Sequence, residues 1–170
     1  MYDDDIAKPK PSLKGQKLRS TAFALLAKRE YSKQDLFKKL LSFGADADEL
    51  TLLIDELAEQ NYQSDERMAG MLVRSQIQQG RGLARIQQNL KKHAINPELA
   101  EDALEEIDWL KQAYQLKVRK FGSDVTKDPK LKAKQIRFLQ YRGFSLDIVF
   151  KAVQLSTEEA EERWQDEFFE

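Results

Sequence analysis

Apolar residues recur along this chain at the three- and four-residue steps of amphipathic helices. Leu18, Ala22, Leu25 and Leu26 make the first stripe, and Leu36, Phe37, Leu40 and Leu41 the second. Leu50, Leu53, Ile54 and Leu57 make a third, then Met68, Met71 and Leu72, then Leu83, Ile86 and Leu90. Leu99, Ala103, Leu104 and Ile107 continue the series, followed by Trp109, Ala113 and Leu116, by Leu131, Phe138 and Leu139, and by Leu146, Val149, Phe150 and Val153. A tenth segment places Ala160, Trp164 and Phe168 at four-residue steps on an acidic helix. Its expected role is to fold back on the helices before it. The boundaries carry their own signals. Ser32, Asp46, Ser64, Ser145 and Ser156 stand where a helix needs a side-chain acceptor for its first free N–H groups. Asn96-Pro97 and Asp128-Pro129 pair such a cap with proline at the first helical position. Gly44, Gly122 and Gly143 stand where helices should stop.

The pattern repeats. Leu40 is followed four residues on by Gly44, Leu90 by Ala94 and Leu139 by Gly143, and the leucines are spaced at about 50 residues. The expected fold is all-α: tandem three-helix units in an elongated array whose curvature the stripes do not set. Each stripe is too narrow to be buried all round, so every unit needs neighbours to complete its core. The expected divisions are a flexible leader over 1–13, repeats over 14–62, 63–107 and 108–155, and an acidic C-terminal helix over 156–170.

Composition removes several classes. The 170 residues are 41% hydrophobic and 34% charged, enough apolar content for a core, and the longest apolar run, Ala22 to Ala27, is far short of the ~20 residues that span a bilayer. No cysteine is present, so disulfides and cysteine metal sites are excluded. The acidic start Met1-Tyr2-Asp3-Asp4-Asp5 lacks a signal-peptide pattern, and a cytoplasmic protein is the expectation.

Charge follows the repeat. Residues 8–39 hold ten Lys/Arg against two acids, and 40–64 hold six acids and no base. Residues 65–95 hold six bases against two acids, and 96–110 six acids and no base. Residues 111–142 again hold ten bases against two acids, and 143–170 eight acids against two bases. The formal net charge of -1 hides this alternation. One helix of this kind is ordinarily a solvated face; three in succession suggest a basic surface for a polyanion or an acidic protein groove.

Catalytic chemistry finds little support. Asp46/Asp48, Glu105-Glu106 and the acids of 158–162 sit where capping and solvation explain them, without the pocket that separates acid from base. His93, the single histidine, stands at a helix end, where it favours the dipole more readily than a metal. Gly80-Arg81-Gly82 lacks the spacing of a phosphate loop and reads as an interhelical turn holding Arg81 outward between Arg74 and Arg85. Tyr141-Arg142-Gly143-Phe144 pairs an aromatic with a cation; stacking on a base is one reading, with Phe144 as a core plug. No cofactor and no metal are expected, and the protein is read as a binding protein, not an enzyme.

Taken in order, Ala24-Leu25-Leu26-Ala27-Lys28-Arg29-Glu30-Tyr31-Ser32, Leu36 to Leu40, Asn61-Tyr62 with Ser64-Asp65-Glu66-Arg67, Gly80-Arg81-Gly82 with Ile86 and Leu90, and Arg137-Phe138-Leu139 with Arg142-Gly143-Phe144-Ser145 resemble the RecX family of bacterial recombinase regulators. The resemblance runs from about Leu18 to Val153, carried by order and spacing and not by one motif. It implies a modulator that binds RecA in the groove of its filament on single-stranded DNA, restraining ATP hydrolysis, strand exchange and co-protease activity. It departs where Asn61 and Ala94 stand at positions usually held by glycine, and where Met68 replaces phenylalanine. The acidic tail from Ser156 lies outside it.

The partners expected are therefore the RecA filament and the single-stranded DNA within it, with no membrane, met by a monomer. The residues expected to face them are Arg67, Arg74, Arg81, Arg85, Lys91 and Lys92, beside Lys132, Lys134, Arg137 and Arg142. Reversing Arg81 and Arg85 should abolish inhibition without unfolding the chain. The alternatives are a stand-alone nucleic-acid-binding helical module, distinguished by tight, salt-sensitive DNA binding without RecA, and a metal-dependent nuclease.

Overall fold

The computed structural model of the protein describes residues 12–165. Among them the regular structure is helical. In chain order the helices are α1 Gly15–Lys28, α2 Lys33–Ser42, α3 Ala47–Glu59, α4 Asp65–Gln78 and α5 Leu83–Lys92. A 3-10 turn Pro97–Ala100 leads into α6 Glu101–Glu105, and α7 Trp109–Phe121, α8 Pro129–Tyr141, α9 Leu146–Gln154 and α10 Thr157–Trp164 follow. The β pairing among the described residues is one isolated bridge, Leu13 to Ala45.

The helices begin where local chemistry says they should. Ser32, Asp46, Asp108, Asp128, Ser145 and Ser156 each accept a backbone N–H from the first turn they precede. Each cap satisfies a donor that would otherwise lack a partner and stabilises by about 1 kcal/mol. Stops follow the same logic. Gly44, Gly122 and Gly143 adopt the positive φ that ends a helix at low steric cost. Asn61 and Ala94 also lie at positive φ, 62° and 53°. These are the two positions at which the family resemblance places glycine.

The chain divides into two compact units. One ends at Ala69 and takes in Lys92–Leu99; the other comprises Gly70–Lys91 and runs on from Ala100. In the first unit α1, α2 and α3 enclose Leu18, Ala22, Leu36, Leu40, Leu50, Ile54 and Leu57. A bidentate pair, Arg19 to Glu56 at 3.0 and 3.1 Å, ties α1 to α3. Hydrogen bonding from Arg19 holds the Glu56 carboxyl below its ordinary range, and Glu56 raises the guanidinium in return.

In the second unit α7, α8 and α9 pack on one another around Leu110, Ala113, Leu116, Leu139, Phe144, Val149 and Val153. α10 closes this core. Trp164 is buried, lies 5.5 Å from the Tyr114 ring, and donates its Nε1–H to Asp108 at 2.9 Å. This is the fold-back expected of the last helix; Phe168 lies outside the described residues.

The stripes are narrower than the periodicity predicts. Leu41, Leu99, Leu146 and Phe150 are exposed, although their spacing placed them inward. Each stands at the edge of its stripe, where a neighbouring helix, not the period, decides what is covered.

Candidate partner-binding site

The second unit brings three of the sequence-predicted arginines together, and it does so through two glycines. The turn after α4 meets the turn after α8. Gly82 donates its N–H to the Arg142 carbonyl at 2.8 Å, and Ala84 to the Gly143 carbonyl at 3.1 Å. A Cβ on Gly82 would stand 2.5 Å from the Gly143 oxygen and 2.6 Å from the Phe144 nitrogen. A Cβ on Gly143 would stand 2.5 Å from Arg85 Cγ. Only glycine permits this approach. Phe144, directly after the contact, is buried in the core, as a plug should be.

The approach places three arginines together. Arg85 donates from Nε to the Tyr141 carbonyl at 2.9 Å and lays its guanidinium 4.6 Å from the Tyr141 ring centre. Arg142 donates to the Gln79 carbonyl at 3.0 Å and lies 5.3 Å from the Phe138 ring. Arg81 is half-buried, and its Nε is enclosed without a hydrogen-bond partner. The expectation that the Gly80–Gly82 turn holds Arg81 outward is therefore corrected: the turn folds it partly inward against its surroundings. Charge reversal at Arg85 would remove its anchor on Tyr141 as well as the surface charge.

The cluster continues along α8. Lys134, Arg137 and Tyr141 are spaced at three and four residues, hence on one helical face, and all are exposed. Lys130 extends the same face by one turn. It was absent from the predicted set, although its four-residue step to Lys134 was visible in the sequence. Tyr141 is 73% exposed, with Arg85 alongside its ring. Among the described residues no carboxylate pairs with Arg81, Arg85, Lys134, Arg137 or Arg142.

Two other predicted cations of this unit leave their helices on other faces. Lys132, two residues from Lys134, projects from the opposite side of α8 and is half-buried. Lys91, six residues after Arg85, leaves α5 on another face and is exposed. Arg74 is exposed on α4, where a Cβ on Gly70 would meet its Nη1 at 3.2 Å. Arg67 and Lys92 belong to the first unit. There Arg67 is bonded to Glu30 at 2.9 Å and to the Tyr62 carbonyl at 3.3 Å, and Lys92 is exposed.

His93 differs from its sequence reading. Its Nδ1 hydrogen-bonds Asp35 Oδ2, tying the turn after α5 to α2 within the first unit. The Asp35 N–H bonds the Ser32 hydroxyl at the start of α2, while its carboxylate goes to His93. Among the described residues no group of three or more His, Asp or Glu could hold a metal ion. No helix among them is long and apolar enough to cross a membrane.

These features define an all-helical repeat protein with a basic face on α8. Residues 64–104 match the second three-helix domain of RecX, and residues 106–153 match the third. Regulatory protein RecX of Acinetobacter baylyi is 54% identical over 147 residues, covering 86% of this chain and 92% of the relative. That of Halorhodospira halophila is 35% identical over 148 residues, covering 86% and 91%. The crystal structure of RecX from Lactobacillus salivarius shares the fold, with a TM-score of 0.70 at 24% identity over 85% of this chain and 95% of that one. The chain belongs to the RecX family of regulatory proteins.

Proposed function

We propose that this protein is a negative modulator of RecA. In this reading it lies in the groove of the RecA filament on single-stranded DNA and restrains ATP hydrolysis, strand exchange and co-protease activity. It acts as a cytoplasmic monomer without cofactor or catalytic step. The observation that carries the reading is the cationic face of Lys130, Lys134, Arg137 and Arg85, which lacks carboxylate partners among the described residues. Such a face retains its attraction for phosphate and acidic protein surface, because no internal charge neutralises it.

The test is RecA ATPase on single-stranded DNA with substoichiometric protein. Wild type should inhibit. K134E/R137E, which alters two exposed residues, should lose at least tenfold in potency while keeping its melting temperature. Unchanged inhibition would remove the α8 face from the mechanism.

Tyr141 favours a second reading, direct binding to nucleic acid. An exposed ring beside a guanidinium can stack on an unpaired base. Tight binding to free single strands, weakening steeply with salt and independent of RecA, would support it.

A further inference from the structure

The basic segment between residues 8 and 39 has no part in the site above, yet the first unit gathers three of its cations around a cleft of about 360 Å³. Arg29 approaches from the end of α1, and Lys38 and Lys39 from the exposed face of α2. Ser42, in the last turn of α2, also lines the cleft, its hydroxyl donating to the Lys39 carbonyl. We propose that this cleft binds a backbone phosphodiester of a single nucleic-acid strand, as a contact separate from the α8 face and independent of it.

Two features prepare the cleft for an anion. The first is rigidity. Tyr31 is buried and forms a wall against which the Arg29 guanidinium rests, 4.1 Å from the ring centre. The turn carrying Tyr31 is itself fixed. Gln63, also buried, donates to the Tyr31 carbonyl at 3.1 Å and to Asp65 at 2.9 Å, and Asp65 accepts the Lys33 N–H at 2.8 Å. An arginine already held over an aromatic face loses less freedom when it binds.

The second is charge. Arg29, Lys38 and Lys39 have no carboxylate partner among the described residues. The one acid in the lining is Asp35, and its Oδ2 is engaged by His93 Nδ1. The lining is therefore positive by two with a neutral imidazole and by three with a protonated one. Cations arriving from two separate segments suit a tetrahedral phosphate, whose oxygens accept from several directions. A carboxylate prefers a single planar fork. The cleft is shallow and open, so a strand can pass along it.

The experiment uses the full chain labelled with ¹⁵N and titrated separately with inorganic phosphate, an eight-residue oligothymidine and polyglutamate. The expected result is that oligothymidine shifts the amide signals of Arg29, Lys38, Lys39 and Ser42 at lower concentration than either other probe. K38Q/K39Q should lose those shifts, and K38R/K39R should restore them. By fluorescence anisotropy, K38Q/K39Q should make the plot of log affinity against log salt shallower by about 0.7 for one lost phosphate contact. K134E/R137E should keep the cleft shifts, so failure here and failure of the α8 site are read separately. Absence of cleft shifts with oligothymidine, or an unchanged salt slope in K38Q/K39Q, would overturn the proposal. Preferential response to polyglutamate would assign the cleft to an acidic protein instead, and response to inorganic phosphate alone to a free anion.

Discussion

Two arginines illustrate how differently the units use the same side chain. Arg85 in the second unit spends its Nε on the Tyr141 carbonyl and its plane on the Tyr141 ring, at a seam that two glycines bring together. Arg29 in the first unit rests on Tyr31, and its side chain makes no hydrogen bond or ion pair among the described residues. Both sites are cationic. In one, guanidinium groups are partly consumed in holding the fold, and exposed neighbours such as Lys134 and Arg137 supply the free charge. In the other the arginine itself remains available. A count of Lys and Arg along a sequence cannot separate these roles, because net charge is unaltered by a hydrogen bond to a carbonyl.

The seam offers the largest way to break the comparison. Gly82→Ala would force its Cβ into the Gly143 backbone and should destabilise the protein by about 3 kcal/mol, the upper range for overpacking. Urea denaturation measures this. A loss below about 1 kcal/mol would mean that the two turns separate without penalty.

Lys117 takes the comparison to a cation that is entirely enclosed. Its Nζ donates to the Asp124 carbonyl at 2.9 Å, and burial lowers its pKa from the ordinary 10.5, opposed by the Asp124 charge. The unfolded chain then holds the proton more tightly. The burial penalty is complete below the folded pKa and is relieved as pH rises from that value towards 10.5. Lys117→Met should therefore stabilise by about 2 kcal/mol at neutral pH, with an advantage that shrinks as pH rises. Denaturation at several pH values from 7 upward would show whether the two curves converge.

A paired substitution sharpens the contrast directly. Arg85→Ala should cost about 1.5 kcal/mol through loss of a charge-assisted hydrogen bond. Arg29→Ala should cost about 0.5 kcal/mol, the value of an exposed cation–π contact. Equal losses in thermal denaturation would erase the distinction between anchoring and available arginines. An effect of similar size but opposite sign is expected at Ala94, whose φ of 53° is unfavourable to a side chain. Ala94→Gly should raise stability by about 0.5 kcal/mol, the αL penalty less the entropy cost of glycine. A fall in melting temperature would show that the Ala94 methyl contributes packing worth more than the strain.

Much of the secondary structure was legible because its causes are local. Ser32, Asp46, Ser145 and Ser156 each sit three residues before the N–H they accept, so a short window of sequence contains both partners. The stripe edges were less legible. Leu41 and Leu146 share the spacing of buried neighbours, yet solvent covers them because no adjoining helix does. In the candidate site, the α8 face of Lys134, Arg137 and Tyr141 follows from helical spacing. The inward placement of Arg81 does not, since it depends on a turn about sixty residues away in the chain.

The amino-acid sequence by itself determined the helices, their caps and stops, the fifty-residue recurrence and the alternation of charge, all of which arise within a few residues or from the simple order of residues. Tertiary structure decided which cations are free and which are used as anchors, that His93 meets Asp35, and that Gly82 lies against Gly143. These depend on contacts between distant segments, whose geometry is set only when the packed cores bring them within hydrogen-bonding range.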